Sequence, residues 1–184
     1  MKSVNKIAKV LTRVVEITHW VGAALMAAAA VIAAFAPKNL DRFVMFDTSD
    51  FAGQLEIYGF EIGVFTADGV LNLKAFIIFA VCGVILLSLM AMVFRNLHLI
   101  IKKSESSTPF QKDNVRMLNE IGYFSIAIPI VGLTFGIIAR LILGVDAVEI
   151  SNNLDGFIMG IIVLCLTSFF AHGVELENDV DGLV

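Results

Sequence analysis

A chain of 184 residues that is 58% hydrophobic and 16% charged, with a mean hydropathy of +0.88, cannot hide its apolar surface as one water-soluble domain, so a bilayer is its expected solvent. A formal charge of −4 with the basic residues clustered argues against direct nucleic-acid binding. Cys82 and Cys165 both lie inside apolar runs, which leaves no disulfide framework and no CxxC metal or redox motif; both read as small core residues.

Lys2, Lys6, Lys9 and Arg13 precede a hydrophobic run that ends in Ala34-Phe35-Ala36. The triplet imitates a signal-peptidase site. The run is longer than a signal-peptide core, however, and Pro37 would follow the cut, so the first helix is expected to be retained. Residues 14–36 are long enough to cross a hydrocarbon layer of roughly 30 Å at about 1.5 Å per residue. Ala23, Ala27, Ala30 and Ala34 recur at helical spacing, a small-residue face that lets another helix approach. Trp20 near the start suits the headgroup boundary.

Residues 37–73 form a polar insertion with Asp41, Asp47, Asp50, Glu56, Glu61 and Asp68. Phe43-Val44-Met45-Phe46 and the run Leu55 to Phe65, LEIYGFEIGVF, are rich in aromatic and branched residues. The second run is followed by Thr66-Ala67-Asp68-Gly69, so a small hairpin or three-stranded piece is predicted. An isolated hairpin is marginal and should pack on the helices or on a partner.

Residues 74–94 form a second span, and residues 95–120 a polar elbow in which Thr108-Pro109-Phe110-Gln111 reads as a capping box opening the next helix. Phe110, Met117, Leu118 and Ile121 share one stripe with Asn114. That pattern fits an amphipathic helix start, with Asn114 bonded to nearby backbone, or a docking face for a cytoplasmic protein. The third span, 121–143, holds Pro129, expected to kink it, and the pair Gly132 and Gly136. The fourth, 154–172, holds Gly156 and Gly160. Two GxxxG spacings on consecutive helices predict close packing between them, within one chain or across a homo-oligomer. The tail, 173–184, is acidic, with Glu175, Glu177, Asp179 and Asp181.

Lysine and arginine are concentrated in residues 2–13 and between Arg95 and Arg116. By the positive-inside rule both termini and the elbow are cytoplasmic, and the 37–73 insertion is extracytoplasmic. The expected fold class is thus an all-α protein of the cell membrane, multi-pass, a single domain of four transmembrane helices with a small β-containing insertion between helices one and two.

Chemistry is sparse. His19, in Thr18-His19-Trp20, and His172 both fall toward the cytoplasmic side on different helices, so an alternative reading makes them axial ligands of a b-type haem in an electron-transfer subunit. The plainer reading leaves them as interfacial residues, His172 near a helix C-terminus. Glu16 and Asp155 lie close to the predicted span ends rather than at mid-membrane, which counts against transport by a monomer. No nucleophile elbow, phosphate loop, zinc-spaced cluster or paired acid stands out; neither a catalytic residue nor a metal or cofactor is assigned, and the chain is not expected to be an enzyme.

Two stretches together carry a resemblance. Thr108-Pro109-Phe110, Asn114, Leu118 and Ile121-Gly122 in the elbow are followed, at the end, by Phe170, Gly173, Glu175-Leu176, Asp181 and Val184. In order, spacing and terminal position these resemble a bacterial family of small four-helix membrane proteins known as domain of unknown function 2975. The likeness covers the second half of the chain, whereas the first helix and the insertion match in length and hydropathy. His172 departs from a position often basic in that family. The resemblance implies no catalytic activity and suggests a sensor or regulatory membrane partner of a small helix-turn-helix transcription regulator, docked on the elbow and the acidic tail. A third reading is a structural or immunity-type membrane protein that occludes another membrane component.

Overall fold

Each of the four apolar runs folds into a helix that outreaches the run itself. In the computed structural model α1 spans Lys2–Phe35, α2 Leu73–Lys103, α3 Lys112–Leu143 and α4 Asp155–Asp181, with strands β1, Gln54–Ile57, and β2, Phe60–Gly63, between α1 and α2. The structure describes residues 2–36, 54–66, 70–105, 108–145, 148 and 154–181. The expected strand at Phe43-Val44-Met45-Phe46 and the residues Ala67-Asp68-Gly69 lie outside that set. All four helices are long and apolar enough to cross a membrane. They also expose large apolar side chains along their length, such as Leu25 on α1, Ile85 on α2, Leu133 on α3 and Ile162 on α4, the opposite of what water selects.

The chain divides into two compact units. The first comprises residues 1–19, 89–127 and 154–184, the second residues 20–88 and 128–153. In α3 the division falls beside Pro129, through which the helix runs without a break.

In the first unit, α3 and α4 touch at glycine. A methyl group on Gly160 would sit 2.9 Å from the Gly122 carbonyl oxygen and 2.5 Å from Ile126 Cγ1, and one on Gly122 would meet Leu164 at 2.6 Å. The close approach therefore uses Gly160 with Gly122. Gly132 faces Phe60 of the hairpin, within the second unit. Gly136 is buried, and Gly156 is half-buried in the first turn of α4.

The second unit is organised around the hairpin. Tyr58 and Gly59 both take positive φ, 48° and 80°, the pattern of a type I′ two-residue turn whose twist matches the paired strands. The strands pair antiparallel, Leu55 opposite Ile62 and Glu56 opposite Glu61. The period of two puts Phe60, Ile62 and Val64 inward, at 2%, 0% and 0% exposure. Phe60 stacks on Phe79 of α2, centroids 6.1 Å apart, and meets Phe135 of α3 edge-on at 6.4 Å. Leu55 and Leu71 cover a cluster of Ala33, Phe76 and Ala80. The chain then returns to α2: Asn72 donates its amide to the Val64 carbonyl at 2.7 Å. Its side chain caps the helix, Oδ1 accepting from the Ala75 amide at 3.3 Å.

On α1 the packed stripe includes Ala23, Met26, Ala30 and Ala33, whereas Ala27 and Ala34 are exposed. The small-residue face expected at Ala23, Ala27, Ala30 and Ala34 is thus turned: Met26, whose Cε would lie 2.6 Å from a methyl group on Gly83, fills the glycine gap on α2 that an alanine would leave empty.

Candidate functional site

The elbow and the last turns of α4 meet in the first unit through the residues that carry the family resemblance. Phe110 packs on Gly173, where a methyl group would lie 2.5 Å from Cδ1 of the ring, and leans on Phe170, centroids 5.5 Å apart. Thr108 donates its hydroxyl to Glu177 Oε2 at 2.9 Å. Asn114, fully buried, donates Nδ2 to the Pro109 carbonyl at 2.9 Å and thereby ties the elbow to α3. Its Oδ1 is buried with no hydrogen-bond partner among the described residues. Glycine at 173 leaves room for an aromatic ring against the helix backbone, and the exposed Thr108 hydroxyl reaches Glu177. These residues form a clasp between elbow and tail.

The clasp displaces the expected capping box. Thr108 spends its hydroxyl on Glu177, and α3 begins at Lys112 rather than at Pro109. The first α3 backbone bond runs from the Val115 amide to the Gln111 carbonyl, 3.1 Å. A partner 69 residues away outcompetes the local amide because the ring of Phe110 must reach Gly173, which holds residues 108–111 out of helical conformation.

Behind the clasp the expected stripe turns inward: Asn114, Met117 and Ile121 are buried, Leu118 half-buried, and Gly122 packed on α4. Open to the surface are Lys112 and Arg116 on α3, with Glu175 and Leu176 on α4. Lys112, Val115, Ala171, Val174 and Glu175 line an open groove of about 350 Å³. It joins an apolar floor to one charge of each sign. Asp181 ends α4.

Polar pairs fill the rest of this unit. Glu16, 4% exposed, accepts from Arg13 Nη1 at 2.8 Å, and Asn96 donates to Glu120 Oε2 at 2.9 Å. Lys9 pairs with Glu105. Lys103 donates to Asp113 at 2.6 Å, and that bond, with the charge of Lys103, holds the exposed Asp113 carboxyl below its ordinary range. Arg13 and Glu16 have the i,i+3 spacing of a helical pair, whereas Asn96 and Glu120 or Lys9 and Glu105 meet only through tertiary packing. Glu16 carried a weak signal, a lone carboxylate near an apolar run.

The two histidines go to different surroundings. His19 stacks on Phe94, centroids 5.6 Å apart, and its Nδ1 donates to the Val15 carbonyl at 2.7 Å. His172 has a side chain 71% exposed, 3.4 Å from Glu175. Axial haem ligation needs both rings turned into one enclosed slot, and a ring so exposed on α4 does not supply the second wall. His98 donates its Nδ1 to the Lys9 carbonyl at 3.1 Å, a further seam between α1 and α2. Comparison with family models, with curated proteins and with solved structures finds no match.

Proposed function

We propose that the chain is a non-catalytic regulatory component of a bacterial cell membrane, spanning it four times with both termini in the cytoplasm and acting as the membrane partner of a small helix-turn-helix regulator. The observation that carries this reading is the groove at the clasp, where Lys112 and Glu175 flank Val115, Ala171 and Val174. An apolar floor with opposite charges on its rim suits the side of a partner helix. The exposed apolar side chains of all four helices support the bilayer as solvent. In this reading the 37–73 insertion perceives a ligand or envelope state, and movement of α3 near Pro129 tightens or releases the clasp.

Two experiments test it. A reporter active only outside the cell works when fused after Asp50 and fails when fused after Ser106; the reverse pattern overturns the topology. The regulator co-purifies with the wild-type protein and is lost on Val115→Asp, a change in the groove floor that leaves Phe110 and Gly173 in place. Retention of the regulator by Val115→Asp, or its absence from the wild-type preparation, removes the docking role.

A further inference from the structure

The hairpin of the second unit descends far along the helices it packs against. Beside its turn, Ile57 Cδ1 comes within 3.7 Å, and Met26 Cε within 2.6 Å, of a methyl group placed on Gly83. Phe60 Cβ comes within 3.8 Å of one placed on Gly132. Gly83 lies about 15 Å along α2 from Leu73, Gly132 about 16 Å along α3 from Leu143, and Met26 about 14 Å along α1 from Phe35. β2 gives a fourth estimate. Val64 is level with Asn72, the cap of α2, through their 2.7 Å hydrogen bond, and Phe60 lies four residues further down, about 13 Å at strand rise. These estimates, of which Met26 repeats the Gly83 contact, put the Tyr58–Gly59 turn about 13–16 Å below the helix ends, half the thickness of a hydrocarbon layer of about 30 Å.

That depth conflicts with the hairpin's other face. Glu56 and Glu61 are directly opposite each other, and Glu56 is exposed. The pair is two residues above the turn, about 10 Å below the start of α2 at strand rise. In a two-residue hairpin the pair beside the turn exchanges both ladder hydrogen bonds and the next pair exchanges none. The backbone groups of Glu56 and Glu61 therefore lie unpaired on the two edges of the hairpin, while their side chains share the face opposite Phe60 and Ile62. Hydrocarbon tolerates neither strand edges nor charges, and non-helical backbone at that depth survives where it is enclosed by protein or lines water.

We infer that the hairpin is a re-entrant element reaching the middle of the bilayer, and that its Glu56–Glu61 face lines a narrow water-filled vestibule open on the side where α2 begins. The inference rests on the membrane reading proposed above. Two carboxylates facing a confined aqueous space concentrate cations and exclude anions.

Thiol labelling in lipid nanodiscs tests it, with the chain carrying Cys82→Ala and Cys165→Ala so that single cysteines report. The reagents are a small cationic methanethiosulfonate, its anionic counterpart and a bulky polyethylene-glycol maleimide. Val70→Cys, above the start of α2, reacts with all three, and Leu25→Cys, on the lipid-facing side of α1, with none. Glu56→Cys is expected to react with both small reagents, the cationic one about tenfold faster, and to resist the bulky one. Glu61→Gln in that background brings the two small-reagent rates together. Glu56→Cys reacting with the bulky reagent as readily as Val70→Cys puts the hairpin outside the bilayer and overturns the inference. Glu56→Cys as inert as Leu25→Cys removes the water, and equal rates for the two small reagents remove the role of Glu61. Free labelling of Leu25→Cys with every reagent instead overturns the membrane reading itself.

Discussion

The two units solve the problem of an interior with opposite chemistry. Among the described residues every buried polar side chain, Glu16, Asn96, Asn114, Ser125 and Thr167, belongs to the first unit. So does every ion pair of a lysine or arginine with a carboxylate, from Lys9–Glu105 to Arg116–Glu120. The second unit is held by Phe60 against Phe79 and Phe135 and by Leu55 and Leu71 on Ala33, Phe76 and Ala80, with Ile62 and Val64 fully buried. In a bilayer, helices gain nothing from hiding apolar surface from lipid, so contact must come from close packing or from polar bonds. The first unit uses polar bonds and glycine contacts, and the second inserts an aromatic-bearing hairpin where helices alone would leave voids. Salt and pH should therefore act on the first unit, and side-chain volume on the second. Hydrogen exchange read separately over the two sets of residues distinguishes them.

The largest effect is expected from Phe60→Ala. Removing a ring packed on Phe79 and Phe135 leaves a cavity costing about 3–5 kcal/mol, seen as lost protection across residues 54–63 and the helix segments around them, with the ion-paired helix ends unchanged. Loss of protection at Asn96 and Glu120 as well would show that the units do not unfold separately. Gly160→Ala makes the converse test. Its methyl group meets the Gly122 carbonyl oxygen, which cannot rotate away, so α3 and α4 must part at a cost of about 1–3 kcal/mol, while the hairpin keeps its protection. A smaller effect, about 1 kcal/mol, is expected from Asn72→Ala, which deprives the Ala75 amide of its cap and frays the first turn of α2.

The difference between the units also explains what could be read from the chain before its structure. Hydropathy locates all four helices, because a span of apolar residues is a local property, and the aromatic and branched residues of LEIYGFEIGVF lead to a hairpin or three-stranded piece, of which the structure shows the two-stranded hairpin. Alternation says which face is buried but not against what, so the depth of the hairpin, and with it the position of Glu56 and Glu61, was out of reach. The reading that no carboxylate stands at mid-membrane rests on the helices alone, and the depth proposed for the hairpin is what puts it to the test. In the elbow, the residues that matter, Thr108, Phe110 and Gly173, are visible as a pattern. Their role as a clasp is not, since a local capping box and a distant partner compete for the same hydroxyl and only tertiary packing decides.

Asp113 gives the smallest effect and the most selective one. Its carboxylate accepts from Lys103 at 2.6 Å, and the charge of Lys103, with a lesser contribution from Arg116, adds to that bond; together they hold it below its ordinary value of 3.8. The folded protein thus binds this proton less tightly than the unfolded chain does. The pair's contribution is complete above the ordinary carboxylate range and disappears as the pH falls through the lowered folded value. Because both side chains are substantially exposed, the contribution is small and screened by salt. The expected outcome is a difference in protection between wild type and Asp113→Asn, confined to Lys103 and the first turn of α3, constant near neutral pH, absent in strong acid and reduced in about 1 M salt. Over the hairpin the same difference should be zero at every pH. A difference spreading to Phe60 and Phe79 would mean that electrostatics at one helix end governs aromatic packing in the other unit, and the contrast between polar and apolar interiors would no longer describe how the protein holds together.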